Sequence, residues 1–280
     1  MNYRHDFHAG NFADVLKHVI LMRILTHLRL KPAPFRVIDT HAGSGIYDLS
    51  GEEAQRTGEW RGGVGRMAEP FSPASEAVLA AWREALAAIC PDGRHYPGSP
   101  LFIRHGLREQ DRAAFNESHP AAEAALRKAL PRRDDRLAIT ALDAYTIWNA
   151  QVPPNERRGL VLVDPPFESR DEFERLARGV KLMARKWTGG SLAVWYPIKD
   201  RAAVDGFEKA AVESGFPDVL VAELHTDRFD AEGPLAACGM LVANPPYTLE
   251  GDLATLLPEL AGRLATGRTA RYRLDWLAKN

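Results

Sequence analysis

The chain has 280 residues, of which 45% are hydrophobic and 26% are charged, as in an ordinary soluble globular protein with one large α/β domain. No apolar run reaches the roughly 18 residues of a membrane span, and the two cysteines, Cys90 and Cys238, are isolated, which argues against a disulfide framework or a cysteine zinc site. The formal net charge of −1 excludes a globally basic nucleic-acid binder, so any surface for nucleic acid must be local.

Apolar residues at helical spacing alternate along the chain with apolar runs of strand length. Asn11 is the expected N-cap of a first helix that extends to Leu28, and a Pro-rich break separates it from a buried strand at 35–40. Further strands are predicted at 113–117, 137–143, 159–164, 191–197, 219–225 and 238–244. Further helices are predicted at 74–89, 120–130, 144–152, 171–187 and from 198 to about 214.

These elements predict an α/β fold with a seven-stranded, mostly parallel, doubly wound sheet. The loop between the last two strands is too short for a crossover helix, which indicates an antiparallel pair. The segment 46–95 breaks the alternation, and we interpret it as a small helical insertion after the first strand. The predicted organisation is therefore a main domain of residues 1–45 and 96–280 with an insertion subdomain at 46–95.

The first strand ends in DTHAGSG at 39–45, where Gly43 and Gly45 would let the main chain approach a cofactor beyond the carboxyl end of the sheet. A dinucleotide fingerprint needs another glycine three residues later, and Asp48 occupies that position. The segment looks more like the Asp-x-x-x-Gly-x-Gly first motif of S-adenosylmethionine methyltransferases. A plain tight turn is the alternative.

Two acids at strand ends extend the cofactor hypothesis. Glu117 follows the second strand, where it would accept from ribose hydroxyls, and Asp143 ends the third strand, near the expected adenine. Each alone is as consistent with a solvent-facing acid. Their order around the predicted fold favours a methyltransferase.

The stretch GLVLVDPPFE at 159–168 ends a buried strand with chemistry suited to methylating an exocyclic amine. The carboxylate of Asp164 and the carbonyl of Pro165 would accept from the two amine hydrogens and direct the nitrogen lone pair at the methyl group. Proline fixes its own φ and restricts the residue before it, so that carbonyl is preorganised. Phe167 would stack on an extruded base. The alternative is that the prolines only terminate the strand.

A second motif of the same type, LVANPPY, occupies 241–247. Its composition suits the same chemistry, so only topology distinguishes the two. Asp164 ends the predicted strand that neighbours the first strand, beside the glycine turn, whereas Asn244 ends a strand of the terminal pair. We therefore predict that Asp164 is catalytic and that Asn244 terminates a strand.

The chain closely resembles the bacterial 23S ribosomal RNA adenine-N6 methyltransferase J family in the blocks YRHDFHAGNFADVLKH (3–18), DTHAGSG, YPGSP, RRGLVLVDPPFE, LAVWYP and GMLVANPP. The resemblance covers essentially the whole chain, and the N-terminal block is highly specific. It implies a Rossmann-like class I fold, S-adenosylmethionine as methyl donor, and N6 of a specific adenosine in protein-free 23S ribosomal RNA as acceptor.

Carried over motif by motif, the resemblance implies donor-binding roles for His18, His41, Ser99, Glu117, Asp143, Ala144 and Asp164, with Asp164 also the catalytic acceptor. It places Tyr3, His5 and Lys17 at the mouth of the site, against the target adenosine. Phe167 departs from the tyrosine common in the family, and Ala144 from a common glycine. From spacing alone, Lys17 and His18 are surface or core-edge residues of the first helix. The histidines match no zinc spacing, so we expect no metal.

RNA must meet local basic patches. The candidates are Arg4 with the N-terminal aromatics, RGG at 61–63, and GRTARYR at 267–273. Arg61 is preferred, because an insertion after the first strand overhangs the crevice. The start of the chain lacks the apolar core of a secretory signal, and we expect a cytoplasmic monomer without membrane contact or an obligatory protein partner.

Two rival functions share some of these features. A DNA adenine-N6 or cytosine-N4 methyltransferase would use the same motif chemistry, but no target-recognition domain is visible. A non-catalytic RNA-binding assembly protein would not need Asp164 together with the glycine turn.

Overall fold

The computed structural model describes residues 4–280, in which helices and strands alternate along most of the chain. The α-helices are α1 (Phe12–Arg29), α2 (Glu52–Thr57), α3 (Glu59–Gly62), α4 (Pro73–Ile89), α5 (Ser99–Gly106), α6 (Pro120–Ala129), α7 (Ala144–Gln151), α8 (Glu172–Lys186), α9 (Arg201–Val212) and α10 (Leu249–Leu264). The strands are β1 (Phe35–Asp39), β2 (Ile46–Asp48), β3 (His95–Pro97), β4 (Arg112–Asn116), β5 (Leu137–Thr140), β6 (Arg158–Val163), β7 (Ser191–Pro197), β8 (Val219–His225), β9 (Ala237–Ala243) and β10 (Arg271–Ala278).

One sheet of eight strands has the order β10-β8-β9-β7-β6-β1-β4-β5. The five strands from β5 to β7 run parallel, whereas β9 is antiparallel to both β7 and β8. The predicted α/β class, the mostly parallel sheet and the antiparallel pair are therefore confirmed. The predicted count of seven strands is wrong by one, because β10 adds an antiparallel edge strand beside β8.

The sequence did not indicate strand β10, because charged residues interrupt its apolar pattern. Tyr272, Leu274 and Trp276 alternate with charged residues, the pattern of an edge strand with one covered face. Arg273 lies within the predicted basic patch at 267–273, but its guanidinium donates to the buried Glu223 at 3.0 Å. At least this arginine is therefore part of a structural ion-pair cluster.

The segment 46–95 is not purely helical, since β2 pairs antiparallel with β3 to form a two-stranded ribbon at its base. Between these strands, α4 packs against α1 and α10. The division of the chain into a main domain and an insertion subdomain stays a prediction.

Helix α5 begins where the sequence indicates only a turn. Pro100 occupies its first turn, where a missing backbone N–H removes no helical hydrogen bond. This start places Ser99 at the N-terminal end of the helix, two residues after the last residue of β3.

Helix α1 is a core helix, with 14 of its 18 residues buried. The predicted N-cap is confirmed, because Asn11 Oδ1 accepts from the backbone N–H groups of Ala13 and Asp14 at 3.0 Å each. Lys17 and His18 are 5% and 1% exposed, so of the two positions expected from spacing, surface or core edge, the surface position is wrong. A buried lysine requires a charged partner, and its partner defines the site described below.

Sheet direction separates the two proline motifs. β6 lies parallel and adjacent to β1, which puts Asp164 at the same edge as the glycine turn. β9 runs the other way, so Asn244, which was predicted to end a strand of the terminal pair, lies at the opposite edge of the sheet. The side-chain amide of Asn244 donates to the carbonyl of Gly190 at 3.4 Å, and the backbone carbonyl of Asn244 accepts from the Ser191 hydroxyl at 2.8 Å.

No helix within residues 4–280 is both long enough and apolar enough to cross a bilayer.

Candidate active site

A cavity of about 550 Å³ opens at the carboxyl edge of β1, β4, β6 and β7, a volume typical of small-molecule sites. The glycine turn after β1 and the start of α6 form one wall, and the DPPF motif with the end of β7 forms the other. Predicted site residues in its lining are His5, Lys17, His18, His41, Gly43, Ser99, Glu117, Asp164, Pro165 and Phe167.

Asp14 organises the N-terminal segment at the mouth of this cavity. Its carboxylate accepts from the backbone N–H of Gly10 at 2.8 Å, from His5 Nε2 at 2.9 Å and from Lys17 Nζ at 2.8 Å. Burial by itself would raise the pKa of Asp14, but His5 and Lys17 outweigh it and hold that pKa well below its ordinary value. The sequence reasoning missed Asp14, although its i, i+3 spacing from Lys17 on an apolar helix was a usable signal.

Lys17 connects this segment to the DPPF motif, because Lys17 Nζ lies 2.5 Å from Asp164 Oδ2. Burial alone would lower the pKa of Lys17, but the carboxylates of Asp14 and Asp164 raise it well above its ordinary value. Lys17 is therefore a permanent cation, held between two acids, one of which faces the cavity.

His18 is neutral and has one unsatisfied ring nitrogen. Its Nδ1 lies 2.8 Å from the hydroxyl of Tyr96, whereas its Nε2 is buried without a hydrogen-bond partner among the described residues. Burial and the Lys17 charge lower the pKa of His18 well below its ordinary value. An orphaned polar atom in a cavity wall is the feature that a bound ligand is expected to satisfy.

The glycine turn is tied to the end of β4 through Glu117. One carboxylate oxygen of Glu117 accepts from the backbone N–H of Gly43 at 2.8 Å, and the other accepts from the N–H of His119 at 2.7 Å. Gly43 has a φ of 64°, a conformation that favours glycine. Glu117 thus fixes the turn and retains lone pairs for ligand hydroxyls, and His119 is a further lining residue that the sequence reasoning missed.

Asp39, the last residue of β1, is fully buried below this turn. Ser99 Oγ donates to its Oδ2 at 2.7 Å, and burial raises the pKa of Asp39 to about 7 although that hydrogen bond opposes the shift. Two residues on, burial lowers the pKa of His41 to about 4, so this imidazole is neutral near pH 7.

Phe167 has a φ of 51°, which is unusual for a bulky residue and indicates a strained loop of the type found at functional sites. Its ring meets Phe173 edge-on at 4.9 Å and Trp195 at 5.9 Å. Trp195, at the end of β7, is an additional lining residue. Together these rings form an aromatic wall next to Asp164.

Several predicted residues are not brought into the cavity lining. Asp143 caps α7 by accepting from Thr146 N–H at 2.9 Å, and its other oxygen accepts from Arg175 at 2.7 Å. Ala144 is buried behind it, and Gly45 packs near Leu126 of α6. Arg61 also lies outside the cavity lining, and its guanidinium lies over the Trp60 ring at 5.1 Å. Tyr3 lies outside the described residues.

No group of three or more His, Cys, Asp or Glu side chains within 4–280 is arranged to hold a metal ion. The expectation of a metal-independent site stays a prediction. What the residues provide is a turn and an acid suited to a ribose, and a carboxylate beside aromatic rings suited to an amino-bearing base.

Comparisons with known proteins identify the family to which the chain belongs. A family model described as "Ribosomal RNA large subunit methyltransferase D, RlmJ" matches residues 32–278. Ribosomal RNA large subunit methyltransferase J of Haemophilus influenzae is 35% identical over 280 residues, with 99% of both chains covered. The protein of the same name from Escherichia coli K12 is 35% identical over 279 residues, again with 99% of both chains covered.

A solved structure has a similar fold over nearly the full length of the chain. The crystal structure of protein LPL1258 from Legionella pneumophila has a TM-score of 0.84 and 32% identity to this chain, covering 96% of this chain and 98% of that one. Full-length identity at this level, together with a family match over most of the chain, is sufficient for assignment. The chain belongs to the RlmJ family of ribosomal RNA large subunit methyltransferases.

Proposed function

We propose that the protein transfers a methyl group from S-adenosylmethionine to N6 of one adenosine in 23S ribosomal RNA. One observation carries the proposal: the glycine turn after β1 and Asp164 after β6 end adjacent parallel strands and line the same cavity. A donor held at the turn would therefore present its methyl group to a base held at Asp164.

The lining fits S-adenosylmethionine. Glu117 would accept from the ribose hydroxyls, and the orphaned Nε2 of His18 would meet a polar group of the methionine part. Ser99 and the buried Asp39 lie beneath the same region. Asp143 lies behind the lining and is bonded to Arg175, so its proposed contact with the adenine requires a shift of its side chain or of Arg175.

The protein residues would act mainly by positioning. Lys17 engages Asp164 Oδ2, and Oδ1 is then the expected acceptor for one hydrogen of the adenine amine. The carbonyl of Pro165 would accept the other, which favours a pyramidal nitrogen with its lone pair directed at the donor. When bound, the sulfonium of the donor supplies an electrophilic methyl group, whose bond to sulfur breaks as the bond to N6 forms. Asp164 would accept the proton that N6 releases.

The base has to leave its stack to reach Asp164, and the wall of Phe167 and Trp195 would receive it. Near the mouth, Arg4 and Lys199 are lining cations that can meet phosphates, and they replace Arg61 as the favoured contacts. A preference for protein-free RNA follows from the family resemblance. We further propose a cytoplasmic monomer that needs no protein partner.

Methylation of defined substrates with labelled S-adenosylmethionine tests the proposal. Protein-free 23S ribosomal RNA, assembled large subunits and adenine-containing duplex DNA are compared, and the RNA product is digested and analysed by mass spectrometry. We expect N6-methyladenosine at a single site in protein-free RNA. Methylation of DNA alone would instead support the rival DNA methyltransferase, and a different modified position on the base would refute the N6 assignment.

A further inference from the structure

The β2–β3 ribbon carries two buried tyrosines directly opposite each other, Tyr47 and Tyr96. They are 4% and 0% exposed. Residues directly opposite in an antiparallel pair project from the same face of the ribbon. Tyr47 lines the cavity, Tyr96 lies buried beside it, and each hydroxyl bonds to a different part of the proposed donor site.

Tyr96 contacts His18. Its hydroxyl is 2.8 Å from His18 Nδ1, and the two rings stack at a tilt with centroids 5.5 Å apart. Burial raises the pKa of Tyr96 well above its ordinary value, so the phenol keeps its proton and can donate it. Since His18 is neutral, a donated bond at Nδ1 leaves the ring proton on Nε2, the atom without a partner in the described part of the chain.

Tyr47 contacts the glycine turn. Its hydroxyl accepts from the backbone N–H of Ser44 at 3.0 Å, and a Cβ on Gly43 would lie only 2.2 Å from the same oxygen. The edge of its ring meets the ring of His5 with centroids 5.0 Å apart. One side chain therefore contacts both the turn at the donor end and the N-terminal segment at the substrate end.

We propose that Tyr96 and Tyr47 are positioning residues for the methyl donor: Tyr96 fixes the tautomer in which His18 Nε2–H donates to an oxygen of the donor, and Tyr47 holds the backbone of the glycine turn. This inference rests on the proposed function. Tyr96 begins the YPGSP block that also contains Ser99, but no residue pattern assigned a role to either tyrosine, because the ribbon forms only when the two ends of the insertion meet.

Tyr96→Phe tests the first half, since it removes one hydroxyl and keeps the ring. We expect the Kd for S-adenosylmethionine to rise about fivefold to tenfold, the effect of one lost hydrogen bond in a buried site. Tyr196→Phe is the matched control, because Tyr196 is also fully buried and donates to Glu223 at 3.3 Å outside the cavity. The role of Tyr96 would be refuted if both variants lost affinity for S-adenosylmethionine equally, or if neither variant lost any.

The His18 tautomer provides a readout that a purely structural role would not change. In wild-type protein labelled with ¹⁵N-histidine, we expect the His18 signals, assigned by their loss in His18→Asn, to show a neutral ring protonated at Nε2. Tyr96→Phe should yield a mixture of tautomers, whereas Tyr196→Phe should not. A wild-type ring protonated at Nδ1 would overturn the proposal whether or not the variant folds.

Two substitutions separate the contacts of Tyr47. Tyr47→Phe keeps the ring against His5 and loses the acceptor for Ser44, so it should weaken donor binding severalfold and leave binding of protein-free 23S ribosomal RNA unchanged. Tyr47→Leu should weaken both. Unchanged donor affinity in Tyr47→Phe would refute the role of its hydroxyl, whereas a wild-type protein that does not bind S-adenosylmethionine would refute the proposed function itself.

Discussion

Lys17 Nζ lies 2.5 Å from Asp164 Oδ2, although 147 residues separate the two in the chain. The same ammonium bonds to Asp14, which in turn holds His5 and the backbone of Gly10. The N-terminal segment and the DPPF motif are therefore joined by one charged chain of contacts. This continuity explains how a segment far from β6 in sequence can shape the site at its end.

Replacing Asp164 by alanine should lower kcat for methylation of protein-free 23S ribosomal RNA by roughly 100-fold or more, because the amine loses a fixed acceptor. The fold should remain, since Lys17 keeps Asp14 as a partner. Single-turnover methylation and thermal unfolding measure the two effects.

Asn244→Ala is the control for this prediction, because Asn244 belongs to the similar motif at the opposite edge of the sheet. It should leave methylation intact and reduce the free energy of unfolding by about 1–2 kcal/mol, since alanine tolerates its φ of 49° poorly and loses the bonds of the amide. If Asn244→Ala lost activity while Asp164→Ala kept it, the assignment of the catalytic motif would be reversed.

Lys17→Met should reduce the free energy of unfolding by about 3 kcal/mol, because Asp14 would keep a buried charge with only His5 to compensate it. Urea titration monitored by circular dichroism measures the change. Lys209→Met removes a lysine whose pairing with Glu213 is long and exposed, at 4.0 Å, and should have no measurable effect. Equal stability of the two variants would contradict the structural role of Lys17.

The sequence was sufficient for the mostly parallel sheet and for the adjacency of β1 to the strand that ends at Asp164. Alternating strands and helices constrain the topology strongly, and buried parallel strands such as β6 are recognisable as apolar runs. The sequence was insufficient for β10, where Arg273 and Asp275 interrupt the apolar signal because the strand is at an edge.

The cavity was harder to predict than the sheet, since it depends on contacts between distant segments. Tyr96 begins the YPGSP block and Tyr47 belongs to no motif, and only the pairing of β2 with β3 places them beside His18 and the glycine turn. Asp143 shows the reverse case. It was predicted to end a strand, but β5 ends at Thr140 and Asp143 caps α7. Its carboxylate is bonded to Arg175, a partner that no local pattern indicates.

Asp39→Asn should flatten the dependence of stability on pH. Burial raises the pKa of Asp39 from 3.8 to about 7, so its contribution to stability is complete below about pH 4 and is lost as the pH rises through about 7. At about 1.4 kcal/mol per pKa unit the loss amounts to a few kcal/mol in wild type. Asparagine does not ionise and can still accept from Ser99.

Urea unfolding of both proteins at pH 5 and pH 8 measures this difference. The free energy of unfolding of the variant minus that of wild type should be larger at pH 8 than at pH 5. Groups that titrate in both proteins cancel in this difference. A difference in free energy of unfolding that is the same at pH 5 and pH 8 would contradict the buried, titrating carboxyl.

Lys199→Ala should weaken binding of protein-free 23S ribosomal RNA and reduce its dependence on salt. Lys199 is exposed at the cavity mouth, where its Nζ donates to the carbonyl of Gly233 at 3.1 Å, and none of the carboxylates described forms an ion pair with it. A lysine that neutralises one phosphate contributes about 0.9 to the slope of log K against log salt concentration. We therefore expect filter binding at several salt concentrations to show a slope smaller by about one, with an unchanged Kd for S-adenosylmethionine.

Lys209→Ala is the control, because it removes an equal charge on α9, outside the cavity lining, and should keep the wild-type slope. If the slope decreased equally in both variants, Lys199 would act only through overall charge.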